Sequence, residues 1–185
     1  LMNIYLGCLL SFKDREMKGI NARIAAAWRS FWALSKYFRS KMPINHKRRL
    51  MNTCILPVLT YGAQCWSLTD LAKEKLAVEQ RSMERMMLSI KKSDRIRNTK
   101  MRKYSNIIDV NDRAKEIKWS WAGHCQRLED NRWAKTVERW NPENKRKPGR
   151  PKTRLKQEIE ELAGPFWRRK TMKKDLWKKL GKSFA

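Results

Sequence analysis

Apolar residues recur at helical spacing along most of this chain. Ile20, Ile24, Trp28, Phe31, Trp32 and Phe38 fall on one side of a helix predicted over residues 14–41 and closed by Pro43. Leu50, Cys54, Val58, Tyr61 and Cys65 define a second over 45–65. A kink is expected inside it, because Pro57 lacks an N–H and crowds the preceding turn. Thr69 and Asp70 start a third, with Leu76, Met83, Met87 and Ile90 facing inward and Lys73, Lys75, Arg81 and Arg85 largely outside. A fourth runs over 110–128 behind a cap at Asp109, apolar at Val110, Ala114, Ile117, Trp121, Cys125 and Leu128. A short helix follows with Trp133, Val137 and Trp140 on one side. Thr153 caps another, ended by Gly164 and Pro165, and a basic amphipathic helix spans 167–184. Only residues 4–11 read as a strand, with Gly7 as a bend. The expected fold is mainly α: a helical bundle, then a smaller basic helical region, with at most one short N-terminal strand or hairpin.

Polar composition divides the chain. Residues 91–103 carry seven positive residues and one acid, Asp94, and mark a boundary after a helical domain at 13–92. A Trp-rich helical region at 93–140 follows. Residues 141–152 have no apolar period and hold three of the six prolines, as a loop would. Helices at 153–185 close the chain, and residues 1–12 stand apart as the strand. The opening Leu1 and Met2 lead straight into that strand, as in a piece of something longer.

Charge narrows the choice of partner most. Forty-four Lys and Arg against eighteen Asp and Glu give a net charge of +26 over 185 residues. The 41% of apolar residues, nine Trp and nine Met among them, supply a core that a disordered basic tail would lack. A folded body with this charge seeks a polyanion, and each phosphate it neutralises releases a condensed counterion. Aromatic residues interleaved with the charge favour nucleic acid over an anionic membrane surface. No run reaches the roughly 18 apolar residues of a membrane span. Residues 1–10 are apolar but lack the basic start and small-residue cleavage site of a secretion signal, so a nuclear or cytoplasmic protein is expected. Cys8, Cys54, Cys65 and Cys125 show no zinc or disulfide spacing and read as buried thiols of a reducing compartment.

No catalytic constellation is visible. Two-metal phosphoryl transfer needs converging carboxylates, whereas Asp14, Asp70, Asp94, Asp109, Asp112, Asp130 and Asp175 are scattered. No phosphate loop, nucleophile elbow or metalloprotease helix occurs. His124 has no orienting carboxylate fixed by sequence and reads as a packing or phosphate-contact residue. Neither a metal, a cofactor nor a small-molecule substrate is expected. The sharpest local pattern is Lys145, Arg146, Lys147, Pro148, Gly149, Arg150, Pro151 and Lys152, with Arg154 beyond. Its Gly149, Arg150 and Pro151 resemble an AT-hook, which lays Arg along the narrow minor groove of A·T-rich DNA, although Pro148 stands where a second Arg is usual. A solvated linker or nuclear-import signal would look much the same. Trp28, Trp32, Trp121, Trp133 and Trp140 lie on apolar faces and read as core. Trp167 and Trp177, among Arg168, Arg169, Lys173, Lys174, Lys178 and Lys179, are open to core packing or base stacking.

Tyr5 to Gly7, the run 56–66, Asp94 to Asn98, Trp121 to His124 and Gly149 to Pro151 follow one another in an order that resembles the C-terminal part of RTE-like non-LTR retrotransposon (LINE) endonuclease-reverse transcriptases. The run 56–66 (LPVLTYGAQCW) resembles the thumb segment after the polymerase palm, and Tyr5, Leu6 and Gly7 resemble the strand just after that palm. Asp94 to Asn98, Trp121 to His124, Arg132 and Trp133, Trp140 to Pro142, Gly149 to Pro151 and a late Trp177 follow at similar spacing. After the Gly-Arg-Pro, Gln157, Glu158 and Ile159 stand where the family commonly has an acidic Asp-Asp-Ile. The resemblance implies a thumb-like domain and a basic C-terminal region that grip RNA and DNA, as template–primer and target, without the Mg²⁺-binding palm aspartates of the parent polymerase. Lys36, Arg39, Lys41, Lys47, Arg48 and Arg49 are then candidate phosphate contacts of the thumb, joined by Arg95 and Arg97 and by the basic loop. The alternative is an independent nuclear DNA-binding protein using the hook-like loop.

Overall fold

The computed structural model describes residues 3–5, 8–10, 15–139 and 155–184. The expected strand is a hairpin: β1 (Asn3–Tyr5) and β2 (Cys8–Leu10) pair antiparallel with Ile4 opposite Leu9. All other regular structure among the described residues is helical, and it falls into two units, Leu1–Arg113 and Ala114–Ala185.

In the first unit, α1 (Arg15–Ala33) buries Ile20, Ile24, Ala27 and Phe31, the heptad-like stripe of a core-facing helix. The helix expected over 14–41 breaks at Leu34 and resumes as α2 (Ser35–Arg39). That break returns Phe38 onto Phe31, with ring centroids 4.6 Å apart and planes 11° from parallel. The second expected helix is divided more finely. α3 (Ile44–Leu50) runs into a π-turn at Met51–Ile55, then α4 (Leu56–Leu59) and a 3₁₀ turn at Ala63–Cys65. The π-turn sits just before Pro57, where the widened spiral relieves the clash of the ring with the carbonyl four residues back. α5 (Asp70–Met87) is capped by Thr69, whose hydroxyl accepts from Ala72 N, and it buries Leu76, Met83 and Met87 as the spacing predicts.

The boundary expected after residue 92 lies instead after Arg113. Two polar residues of α5 explain the shift. Gln80, nearly fully buried, donates to Ile108 O at 2.7 Å and accepts from Val110 N at 2.8 Å, satisfying backbone groups where the chain enters the helix that starts at Val110. Glu84 accepts from Ser105 Oγ at 2.7 Å and faces Arg102 at 3.6 Å, while Arg102 also pairs with Asp109 at 3.0 Å. These ties hold α6 (Asn98–Ser105), a helix the charge run had hidden, with its own Met101 buried and Ile107 and Val110 buried beyond its end.

Burial pushes the Glu84 carboxyl above its ordinary value, against the Ser105 hydrogen bond and the Arg102 charge, which hold it down. An acid whose folded pKa is raised contributes stability that is full below its unfolded pKa and is lost as pH rises through the folded one. Relative to Glu84→Gln, the protein should therefore be more stable at pH 4 than at pH 7. Urea midpoints of both proteins at the two pH values check this, and an unchanged gap would place the charge in water.

The second unit contains most of α7 (Val110–Arg127), then α8 (Trp133–Arg139), α9 (Leu155–Ala163), α10 (Trp167–Thr171) and α11 (Lys174–Phe184). Asp109 caps α7 by accepting from Asn111 N at 2.8 Å. The expected single helix over 167–184 is interrupted at Met172 and Lys173. The core joins Trp119 and Ala122 of α7, Ile159 and Ala163 of α9, Trp167 of α10 and Trp177 of α11. Trp119 and Trp177 stack at 3.9 Å, and each indole N–H donates to the other's backbone oxygen, at 2.8 and 3.0 Å. Gly123 lies under the Trp177 ring and Gly181 under the Trp119 ring, each four residues on from the Trp of its own helix.

Candidate nucleic-acid interface

Part of the basic complement is spent inside the fold. Arg48 donates from Nε to Ser105 O at 2.7 Å, and Arg85 brackets Ile96 O and Asn98 Oδ1 at 3.0 and 2.6 Å. In the second unit Lys118 is buried against Glu158 at 2.9 Å, Lys135 donates to Leu128 O, Arg127 to Thr171 O and Lys170 to Ala163 O. Arg48 was expected to contact phosphate; the structure gives it a tie to the end of α6 and leaves it half-buried.

The rest is concentrated. From residue 17 to 69 the chain holds nine basic residues and no acid. Lys36, Arg39, Lys41 and Arg49 are exposed on α2, α3 and the segment between them, and Lys47 is half-exposed. At this corner Trp32 and Tyr37 also face solvent, and the Arg39 guanidinium lies over the Trp32 ring at 5.8 Å. With no carboxylate in the covalent neighbourhood, the positive potential here is offset only by groups folded in from elsewhere, and a phosphate backbone is what such a surface attracts.

A second basic element is a shaped turn. Asp94 accepts from Lys91 N at 2.8 Å, which closes a 3₁₀ turn at Lys92–Asp94. Arg95 follows with φ +50°, a left-handed conformation uncommon for a residue with a side chain. Arg85 then fixes the next carbonyl, so Arg95 and Arg97 stand exposed on a held backbone. The single acid in this charge run is thus the one that builds the turn.

Lys145, Arg146, Lys147, Gly149, Arg150, Lys152 and Arg154 lie outside the described residues, as does Trp140. The stacking role left open for Trp167 and Trp177 is corrected: they are 1% and 3% exposed and form the second core. Three other indoles shift the opposite way. Trp32, Trp121 and Trp133, expected inside, are 45%, 38% and 82% exposed. On α7 the buried side is Ala114, Lys118, Trp119, Ala122, Cys125 and Gln126, one position from the bulkier side the sequence suggested. Ala122 and Gly123 were the missed signal, since small residues mark where a partner ring approaches. His124 is exposed beside Trp121, its ring 5.6 Å away. Cys54 and Cys65, expected buried, are exposed, whereas Cys125 is buried.

No described helix is long and apolar enough to cross a membrane. No protein-family model matches the chain. No solved structure gives a significant match. The chain is similar to an uncharacterized transposon-derived protein of Caenorhabditis elegans, with 30% identity over 152 residues that cover 80% of this chain and 54% of that protein. It therefore spans about half the length of the curated relative it matches. That similarity supports a transposon origin for the chain.

Proposed function

We propose that the chain is the nucleic-acid-gripping C-terminal part of a transposon-encoded reverse transcriptase of the non-LTR type, a helical thumb followed by a basic region, with no polymerase chemistry of its own. The basic corner of α2 and α3, within a stretch of chain that holds no acid from residue 17 to 69, carries the reading. The held turn at Arg95 and Arg97 supports it, as does similarity to a transposon-derived protein. In this reading Lys36, Arg39, Lys41, Lys47 and Arg49 contact backbone phosphates of a template–primer or target duplex in the nucleus or cytoplasm. Such contacts position a duplex without reading its sequence. The chain needs no metal or cofactor for this; Mg²⁺ belongs to the palm of the parent enzyme.

Duplex binding by the purified chain should weaken linearly with log salt, with a slope of about −0.9 per phosphate neutralised and little dependence on sequence. Fluorescence anisotropy titrations over a salt series measure it, with primer extension in Mg²⁺ or Mn²⁺ assayed on the same preparation. A flat salt dependence would refute the phosphate-binding reading, and template-dependent nucleotide incorporation would refute the absence of chemistry.

A further inference from the structure

Trp32 is exposed, yet its ring is held. It packs edge-on against the buried Phe31, with centroids 5.8 Å apart and planes at 85°, and stacks offset on Trp28 at 5.9 Å and 24°. Trp28 is in turn fixed by its indole N–H, which donates to Glu79 Oε2 at 2.8 Å. An aromatic side chain of this size standing in water loses apolar burial, and the surrounding packing keeps it from folding away. Its neighbours along the chain are cationic: Arg29, Lys36, Arg39 and Lys41 are all exposed, and Arg39 already lies over the ring.

A duplex meets such a corner with phosphates alone, because its base faces are covered by stacking. A single strand offers both a phosphate and an open base face at every nucleotide, and ring stacking between cationic side chains is how sequence-tolerant single-strand sites are built. We propose that the corner of α1 and α2 is a binding site for an unpaired nucleotide of single-stranded RNA or DNA. The base stacks on Trp32, Arg39 covers or flanks it, and Lys36 and Lys41 take the adjoining phosphates. This rests on the nucleic-acid reading above and adds to it a second substrate form with its own residue.

The test compares Trp32→Ala, Trp32→Phe and the unaltered chain against an unstructured single-stranded RNA and a hairpin-closed duplex, at one salt concentration. Trp32→Ala should lose about five- to a hundredfold in affinity for the single strand, the effect of removing one stacked base, with the duplex changed less than about twofold. Trp32→Phe, which keeps a ring to stack on, should recover most of the loss. Equal losses on both probes, or no loss on the single strand, would overturn the site while leaving duplex binding standing. A Trp32→Phe variant as weak as Trp32→Ala would overturn stacking and leave a role in packing or in docking another protein. If the unaltered chain binds neither probe, both readings fall together.

Discussion

Gly123→Ala should unfold the second unit at markedly lower denaturant than the native sequence, by about 2–3 kcal/mol. A Cβ at this position would sit 2.5 Å from Trp177 Cδ1 and closer still to its Nε1, well inside contact distance. The ring cannot swing aside cheaply. It is stacked at 3.9 Å on Trp119, and its N–H is committed to Trp119 O at 3.0 Å. Movement would give up the stack and a buried hydrogen bond worth about 1 kcal/mol. The gain in helix propensity of Ala over Gly, also about 1 kcal/mol, offsets only part of this. Gly181→Ala should behave alike, since its Cβ would meet Trp119 Cδ1 at 2.7 Å. Gly19→Ala in α1 is the control: nothing lies within 4 Å of the added atom, so propensity alone should act and stability should rise slightly. Urea unfolding followed by near-ultraviolet circular dichroism, sensitive to the stacked indoles, reads all three variants. If Gly123→Ala proved neutral, the reciprocal contact would not be the organising feature of this core.

That pair of glycines also shows where sequence reading loses its grip. That most of the chain is helical follows from period alone, and Ile20, Ile24 and Phe31 on α1 and Leu76, Met83 and Met87 on α5 are buried as expected because large apolar residues mark the inner side. On α7 the largest residues occur on both sides. Trp121 outweighs Ala122 in any count of apolar bulk, but Ala122 is buried because the Trp177 ring fills the space above Gly123. The position of a ring supplied by a helix more than fifty residues away cannot be seen in the local period. Long-range polar ties were invisible for the same reason. Gln80 and Glu84 add nothing to the apolar period of their helix, yet they hold the segment that α6 completes, and so the boundary moved. The basic corner was legible residue by residue. What reading of single residues overlooked was an absence, the lack of any acid from 17 to 69, which needs only the sequence to be noticed.

Replacing Lys36, Arg39, Lys41, Lys47 and Arg49 together by Gln should weaken duplex binding on the order of a hundredfold or more at low salt and flatten its salt dependence. If all five contact phosphates, the slope of log affinity against log salt should become shallower by about 4.5, at about 0.9 for each. The slope discriminates more sharply than the affinity, because it counts displaced counterions whatever the hydrogen bonding at each contact. Net charge alone would also weaken binding, so the comparison must hold it constant. Lys173, Lys174, Lys178, Lys179 and Lys182 are exposed in the second unit, and replacing those five removes the same charge from a different surface. Under the corner reading this control should retain most of the native slope. All ten replaced side chains are exposed or half-exposed, and none has a carboxylate partner among the described ion pairs, so folding should be little affected in either variant. Circular dichroism and the urea midpoint verify that. Equal loss of slope in the two variants would mean that the chain binds polyanions through its overall field, and the corner of α2 and α3 would then have no special claim.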